Sequence, residues 1–375
     1  MRFLQLDVRN FRNLEQARIE CGPNLTAVIG ENGQGKTNTL EALYFVAGLR
    51  PLRNVQRKAL VRTGATDARL QLSVHRERTG LTHELRVDIS SGRRHLSKDR
   101  KKVDTASFVG TAVAVAFTPD DLSVSKGGPD GRRRFLDRAI FNHQPAYLGH
   151  ALRYGRALKE RNRLLAEGAA DGVLEAYDDV VAAEGAEIAV RRHRFVEDVV
   201  PQIRERFRSI ADPAPPLEVR LRASVTDLGA TTVEAARSAL RQALSDRRGT
   251  DRRRRKTTVG PHLDDLELLL DGHPARDRAS QGQHRALALA LKLAELTHLS
   301  QKLEEPPVLL LDDMSSELDD RRSQNLFACV REIRGQVILT STAGVEAVRR
   351  ILGAPSDLVA YRMQGGEVSR IALTG

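Results

Sequence analysis

Apolar positions recur every second residue in the first part of the chain and at helical spacing through its middle, so two kinds of structure are expected. Arg2 to Arg9 and Arg18 to Glu20 read as strands, and the unbroken apolar run Leu25 to Ile29 reads as a buried one. Leu40, Leu43, Tyr44 and Ala47 share a helical face, which predicts a helix over Thr39 to Ala47. Leu70 to Val74, Glu84 to Ile89 and Val113 to Phe117 again predict strands. After Pro119 the segments become helical and Arg-rich as far as about Ser245. Within them, Val173 to Phe207 predicts one helix of about 50 Å, at 1.5 Å per residue, which makes an arm or lid. Breaks at Asp212 to Pro216 and at Gly260-Pro261 punctuate its return. Strands and helices then alternate to the end, including a helix from His284 to about Leu303, so the class is α/β. No internal repeat interrupts this plan.

A chain of 375 residues with 41% hydrophobic and 29% charged residues buries a sizeable core, as two domains or as one domain with a large insertion. Ala286 to Leu299 is the longest apolar candidate, but Lys292 and Glu295 interrupt it and it falls short of the roughly 20 residues that a bilayer span needs. The first residues, Met1-Arg2-Phe3-Leu4-Gln5-Leu6-Asp7, lack the apolar run of a signal peptide, so a cytoplasmic location is expected. Cys21 and Cys329 are too few for a disulfide framework or a four-cysteine zinc site. Sixty Lys and Arg against 49 Asp and Glu leave a net charge of +11. Such a balance favours a polyanionic partner, with nucleic acid ahead of an acidic membrane surface, although most of the cations are Arg and biased coding alone produces such a skew.

The chemistry concentrates in three segments. Gly30-Glu31-Asn32-Gly33-Gln34-Gly35-Lys36-Thr37 follows a strand and opens a helix, as a P-loop must, with Asn38 next in line. Glycines let backbone N–H groups turn toward phosphates, the helix N-terminus adds its dipole, Lys36 reaches the β and γ phosphates and Thr37 takes Mg²⁺. Val308-Leu309-Leu310-Leu311-Asp312-Asp313 reads as a buried parallel strand delivering carboxylates to its C-terminal end, in the manner of a Walker B strand. Asp312 then holds the metal through water, and Asp313 orients or deprotonates the attacking water. Third, Ala279-Ser280-Gln281-Gly282-Gln283 opens a helix, where Ser is ordinarily an N-cap.

P-loop, Ser280-Gln281-Gly282-Gln283, Asp312 and then Ser316-Glu317-Leu318-Asp319 follow one another as P-loop, signature, Walker B and D-loop do in ABC ATPases, and the chain resembles that superfamily. The resemblance implies two nucleotides closed between two heads, with Ser280, Gly282 and Gln283 of one subunit, and Asp319, serving the nucleotide of the other. The segment between Lys36 and Asp312 is longer than in transporter subunits and far shorter than an SMC coiled coil. More specific features are Phe117-Thr118-Pro119-Asp120-Asp121-Leu122, Gly127-Gly128-Pro129 followed by Arg132-Arg133-Arg134-Phe135-Leu136-Asp137, Leu158-Lys159-Glu160-Arg161-Asn162 and Val259-Gly260-Pro261-His262. By these the chain resembles the RecF family of bacterial DNA repair ATPases along nearly its whole length.

That resemblance implies an ABC-type head built from residues 1–118 and 256–375, with a helical lid of residues 119–255 between them. It implies ATP and Mg²⁺ as ligands, a homodimer closed by ATP on DNA, slow hydrolysis that ends binding, and work with RecO and RecR to load RecA. The alternatives are another short-arm ABC-type repair ATPase, or a dimer that ATP merely holds together. Departures from the pattern are Leu263 where the family often has a basic residue, Asp313 where most ABC ATPases have Glu, and Thr340-Ser341-Thr342 where transporter ATPases place a His. His262, alone at a turn, reads more as structural than as a ligand-binding residue.

Two basic runs suit phosphates better than bases: Arg93, Arg94, Lys98, Arg100, Lys101 and Lys102, and then Arg252, Arg253, Arg254, Arg255 and Lys256. With no Trp and five Tyr in the chain, base stacking has little to work with, and duplex backbone or a single-strand/double-strand junction is the expected DNA.

Overall fold

In β1 (Arg2–Phe11), Phe3, Leu6, Val8 and Phe11 are buried while Leu4 and Arg9 are exposed, the mark of a sheet with one covered face. The alternation slips phase between Phe3 and Leu6 because pairing with β4 (Asp67–Arg76) shifts register between Phe3 and Gln5. With β2 (Leu14–Glu20), β5 (Leu81–Ser90), β6 (Arg93–Lys98) and β7 (Lys101–Lys102), these strands make an antiparallel sheet ordered β2-β1-β4-β5-β6-β7. A second sheet has the order β15-β14-β3-β13-β12-β8. Its members are β3 (Leu25–Ile29), β8 (Ala114–Phe117), β12 (Val308–Leu311), β13 (Val337–Ser341), β14 (Leu358–Gln364) and β15 (Glu367–Ile371), all parallel except β15. Every residue of β3, β8, β12 and β13 is buried. Each buried Val or Leu stabilises by roughly 1.5–3 kcal/mol relative to exposure, which is why such runs are covered on both faces, in β3, β13 and β12 at the middle of the sheet and in β8 at its edge.

The computed structural model describes residues 1–52, 57–211, 214–225, 232–313, 328, 334–352 and 357–372. It separates into one unit of residues 1–122 and 285–375, which holds both sheets above, and another of residues 123–284. Helices α1 (Lys36–Gly48) and α2 (Thr105–Phe108) belong to the first unit, and α9 (Gln281–Leu303) crosses into it. Among the described residues no helix is long and apolar enough to cross a membrane.

The second unit contains α3 (Ser123–Lys126), α4 (Pro129–His143), α5 (Ala146–Glu167), α6 (Asp171–Ile210), α7 (Val233–Arg254), α8 (Ala275–Arg278) and a small antiparallel sheet. α6 has 40 residues and so is about 60 Å long, longer than its apolar pattern predicts. Its Gly185 marks a close approach: a Cβ there would lie 3.2 Å from Tyr154 of α5 and 3.3 Å from Leu240 of α7. Arg161 of α5 is wholly buried and donates to Asp178 of α6 at 2.6 Å, to Asp251 of α7 at 2.7 Å and to Thr257 at 2.8 Å, so one side chain ties three helices together. Asn162 accepts from the N–H and hydroxyl of Thr257, both at 2.7 Å. Arg132 of α4 forms a two-pronged bond to Asp265 at 2.6 and 2.9 Å.

Three expectations need correction. The segment from Pro119 to Ser245 is not all helical, since β9 (Leu217–Arg222) pairs with β10 (Asp265–Leu270), which also pairs with β11 (His273–Pro274). That pairing draws the later boundary of the unit to residues 284/285 rather than 255/256. Helix α7 runs on through Arg252, Arg253 and Arg254 instead of ending near Ser245, because Arg is a good helix former and its charges suit a helix C-terminus.

Candidate functional site

Strand β3 ends at Ile29 and α1 begins at Lys36, so the six residues between them form the loop. Gly30 donates its N–H to the carbonyl of Ser341 at 3.2 Å, and a Cβ on it would lie 2.4 Å from the carbonyl oxygen of Met363, which only glycine avoids. Gly35 has φ 117° and its Cβ would lie 2.8 Å from the Asn13 side chain, so both backbone angle and space demand glycine. Gln34 is held from two turns. Its carbonyl accepts from Asn13 Nδ2 at 3.1 Å and from Gly366 N at 2.9 Å, and its side chain accepts from Gly365 N at 2.6 Å. Asn38 donates to Asn13 at 2.7 Å. Lys36, 6% exposed, folds back over the loop and donates to the carbonyl of Glu31 at 2.8 Å. Glu31, Asn32 and Gly33 face solvent.

Asp312 follows β12 and stands opposite the start of α1. Thr37 Oγ1 donates to its carboxylate at 2.8 Å, and Thr340 Oγ1 of β13 donates to the same Oδ1 at 2.7 Å. Thr340 also accepts the N–H of Asp313 at 2.9 Å, and Asp313 has a left-handed backbone, φ 45°. The structure therefore brings Lys36, Thr37, Asp312 and Asp313 together from two strands that are not neighbours. A Thr37 hydroxyl whose proton goes to Asp312 keeps its oxygen lone pairs for a cation, and hard oxygen donors of this kind suit Mg²⁺. Among the described residues no group of three or more His, Cys, Asp or Glu is placed to hold a metal by itself.

Ser280, Gly282 and Gln283 open α9 in the other unit. Gln283 N donates to Ser280 Oγ at 3.2 Å while Ser280 N donates to Gln283 Oε1 at 2.8 Å, a reciprocal capping box. The box uses Ser280 Oγ as an acceptor only, so its proton is left to donate elsewhere. Lys126 donates to Gln281 at 2.6 Å beside this helix start. Asp319 and Glu317 lie outside the described residues.

The basic runs divide by what they already bind. Arg94 donates to the carbonyl of Leu49 and to Thr105, and Lys98 to Thr111 at 3.0 Å, whereas Arg93, Arg100, Lys101 and Lys102 are exposed along β6, β7 and their turn. Arg252 is engaged with Asp171 and the carbonyl of Ala169. Arg253, which donates to Thr250, and Arg254, Arg255 and Lys256 are exposed. His262 is a structural residue: Nδ1 meets the hydroxyl of Tyr154 at 2.6 Å, Nε2 the carbonyl of Thr257 at 3.2 Å, and burial holds its pKa below the ordinary value. Sequence reasoning missed Asn13, Gly365 and Gly366, and it noted Thr340 only within a segment that lacks a His, not for its contact with Asp312. Only Thr340 carried a local signal, a polar residue directly after the apolar run Val337 to Leu339.

Residues 3–353 match the family described as RecF/RecN/SMC N terminal domain. The chain is 43% identical to the DNA replication and repair protein RecF of Myxococcus xanthus, covering 98% of this chain and 97% of that one. It is 37% identical to the protein of the same name from Symbiobacterium thermophilum, covering 97% and 96%. Among solved structures, the recombination mediator protein RecF-ATPrS in RecFOR pathway matches with TM-score 0.88 at 28% identity over 99% of this chain and 98% of that one. An Smc head bound to the C-winged helix domain of ScpA matches with TM-score 0.55 at 17% identity over 100% and 98%, a likeness of fold alone. A Thr-to-Asp contact across the P-loop, on a sheet shared with RecF and at such identity over nearly the full length, makes this chain a member of the RecF family of DNA replication and repair proteins.

Proposed function

We propose that the chain is a weak ATPase used as a switch in recombinational DNA repair and replication. ATP closes two copies on DNA, on duplex or at a single-strand/double-strand junction, and slow hydrolysis releases them. RecO and RecR are the partners this reading carries over from the family, with RecA loading as the outcome. In it, residues 1–122 and 285–375 are the ATPase head and 123–284 the lid.

The observation that carries the reading is the Thr37–Asp312 contact at the mouth of a loop whose glycines are required by space and backbone angle. Lys36 leaves the Glu31 carbonyl to reach the β and γ phosphates, and the N-terminus of α1 faces them with its dipole. Thr37 and Asp312 would hold Mg²⁺, which supplies charge neutralisation on the phosphate oxygens. Asp313 serves as the base or the orienting group for water. Ser280 of a second copy donates its remaining proton to the γ-phosphate, and Gly282 and Gln283 form the helix start behind it, with Asp319 at the same interface. Arg93, Arg100, Lys101, Lys102, Arg253, Arg254, Arg255 and Lys256 are the cations left to meet DNA phosphates.

Asp313→Asn tests this. The variant keeps shape and hydrogen bonding but cannot accept a proton, so it should bind ATP, dimerise and persist on DNA while single-turnover hydrolysis drops by about 10²-fold or more. Hydrolysis at the unaltered rate would place the base elsewhere, and Glu317 is the next residue to test. No phosphate release from the unmodified protein, with dimerisation intact, would leave ATP as a tie between subunits.

A further inference from the structure

We propose that Thr340 is a positioning residue of the hydrolytic site, fixing the carboxylate of Asp312 and the backbone of Asp313 in the geometry that hydrolysis requires. The inference rests on the roles given above to those two acids. Thr340 stands in β13, between β12 and β3, and is fully buried. A hydroxyl has one proton to give and lone pairs to accept with. Thr340 uses both: it donates to Asp312 Oδ1 at 2.7 Å and accepts from Asp313 N at 2.9 Å.

Asp312 is thereby gripped from two sides, by Thr340 and by Thr37, so its rotamer is set before any cation arrives. Asp313 sits at φ 45°, a region that side chains other than glycine seldom occupy. Its N–H bond to Thr340 pins that conformation, and with it the direction in which Cα–Cβ leaves the backbone. The next residue of the strand, Ser341, accepts the N–H of Gly30 at 3.2 Å. Two consecutive residues of one strand thus anchor the entry to the P-loop and the exit from β12.

Thr340→Val is the test, because Val keeps the branched shape and the strand preference while removing the hydroxyl. Asp312 loses one grip and the Asp313 N–H loses its acceptor. In steady-state assays kcat should fall by roughly 10- to 100-fold, the range for one or two hydrogen bonds that matter in the transition state. KM for ATP should change little, since Lys36 and the loop are untouched, and the Mg²⁺ concentration for half-maximal activity should rise. Thr340→Ser should restore kcat and the Mg²⁺ response, which a packing role for the methyl group would not do.

If Thr340→Val folds and shows the unaltered kcat and Mg²⁺ dependence, the proposal is wrong. Should it fail to fold, Thr340→Ser against Thr340→Ala decides, since both lose the methyl and only one keeps the hydroxyl; equal activities would overturn the proposal. Asp313→Asn run in parallel separates the two readings. If it remains fully active while Thr340→Val loses its Mg²⁺ response, the base is misassigned and the grip on Asp312 stands.

Discussion

Arg161→Met removes the charge at the centre of the lid while keeping an unbranched side chain about as long as the arginine stem. Arg161 has no exposed surface and bonds Asp178 at 2.6 Å, Asp251 at 2.7 Å and Thr257 at 2.8 Å. Removing one partner of a buried ion pair costs about 3–5 kcal/mol, because the remaining charge is stranded. Two carboxylates are affected here, but neither is abandoned. Asp178 keeps Arg248 at 3.0 Å, and Asp251 keeps the N–H and hydroxyl of Thr258 at 2.9 and 2.6 Å. A loss of about 3–5 kcal/mol in all, rather than twice that, is therefore expected. A domain is stable by about 5–15 kcal/mol, so much of the lid's stability would go. The chain has no Trp, and urea unfolding followed by far-UV circular dichroism reads the lid through its long helices. With a slope of about 1–3 kcal/mol per molar urea, the transition should move by about 2 M. Adding Asp251→Asn should recover part of the loss, since Asp251 is the carboxylate left with neutral donors only, whereas Asp178 still has Arg248. A shift below about 0.5 M in Arg161→Met would refute the claim that this residue ties the three helices.

Ser280→Arg should bind ATP as a monomer yet fail to dimerise in light scattering, since bulk and charge replace the hydroxyl donor; dimerisation at the usual affinity would remove Ser280 from the interface. Changing Arg253, Arg254, Arg255 and Lys256 to Gln should flatten the plot of log DNA affinity against log salt by up to roughly 4, at about 0.9 per contact, and an unchanged slope would shift the DNA surface to Arg93 through Lys102. Arg252 is left out of that set because it pairs with Asp171. Burial lowers the pKa of His262 and of His284 below 6.5, so the unfolded chain takes up more protons as pH falls. Stability from these groups is present above pH 6.5 and is lost as pH drops through the window below it. His262→Gln should therefore show a smaller loss of melting temperature between pH 7.5 and 5.5 than the unmodified chain, and an equal loss would show that His262 does not contribute.

The buried strands of the head were legible because a parallel strand covered on both faces leaves no place for polar residues, and Leu25 to Ile29 and Val308 to Leu311 have almost none. β9 was not legible in the same way. Leu217, Val219 and Leu221 do alternate with Glu218, Arg220 and Arg222, but six residues between long helices give a weak pattern, and the partner strand β10 begins only at Asp265. Helix ends were misjudged for a related reason. A run of cations such as Arg252 to Arg254 has no apolar period to follow, yet a helix whose other face is already packed continues through it, as α7 does.

The site divides along the same line between local and distant information. Phosphate loops are local: glycines, Lys36 and Thr37 stand side by side, so the chemistry is readable from eight consecutive residues. The supports of that loop come from elsewhere, since Gln34 is held by Asn13 and by the turn at Gly365 and Gly366, and nothing in those short turns announces the contact. Thr340 is the instructive case. In the sequence, Thr340-Ser341-Thr342 stands out for the His it lacks, which directs attention to the γ-phosphate. The strand order β3-β13-β12 gives it another meaning: the strands bearing the P-loop and Asp312 are separated by β13, so a side chain at the end of β13 stands beside both, and Thr340 binds Asp312 and the backbone beyond it. A small hydroxyl is the group that can donate to a carboxylate and accept an N–H at once in that space, whereas an imidazole has to divide those roles between two ring nitrogens.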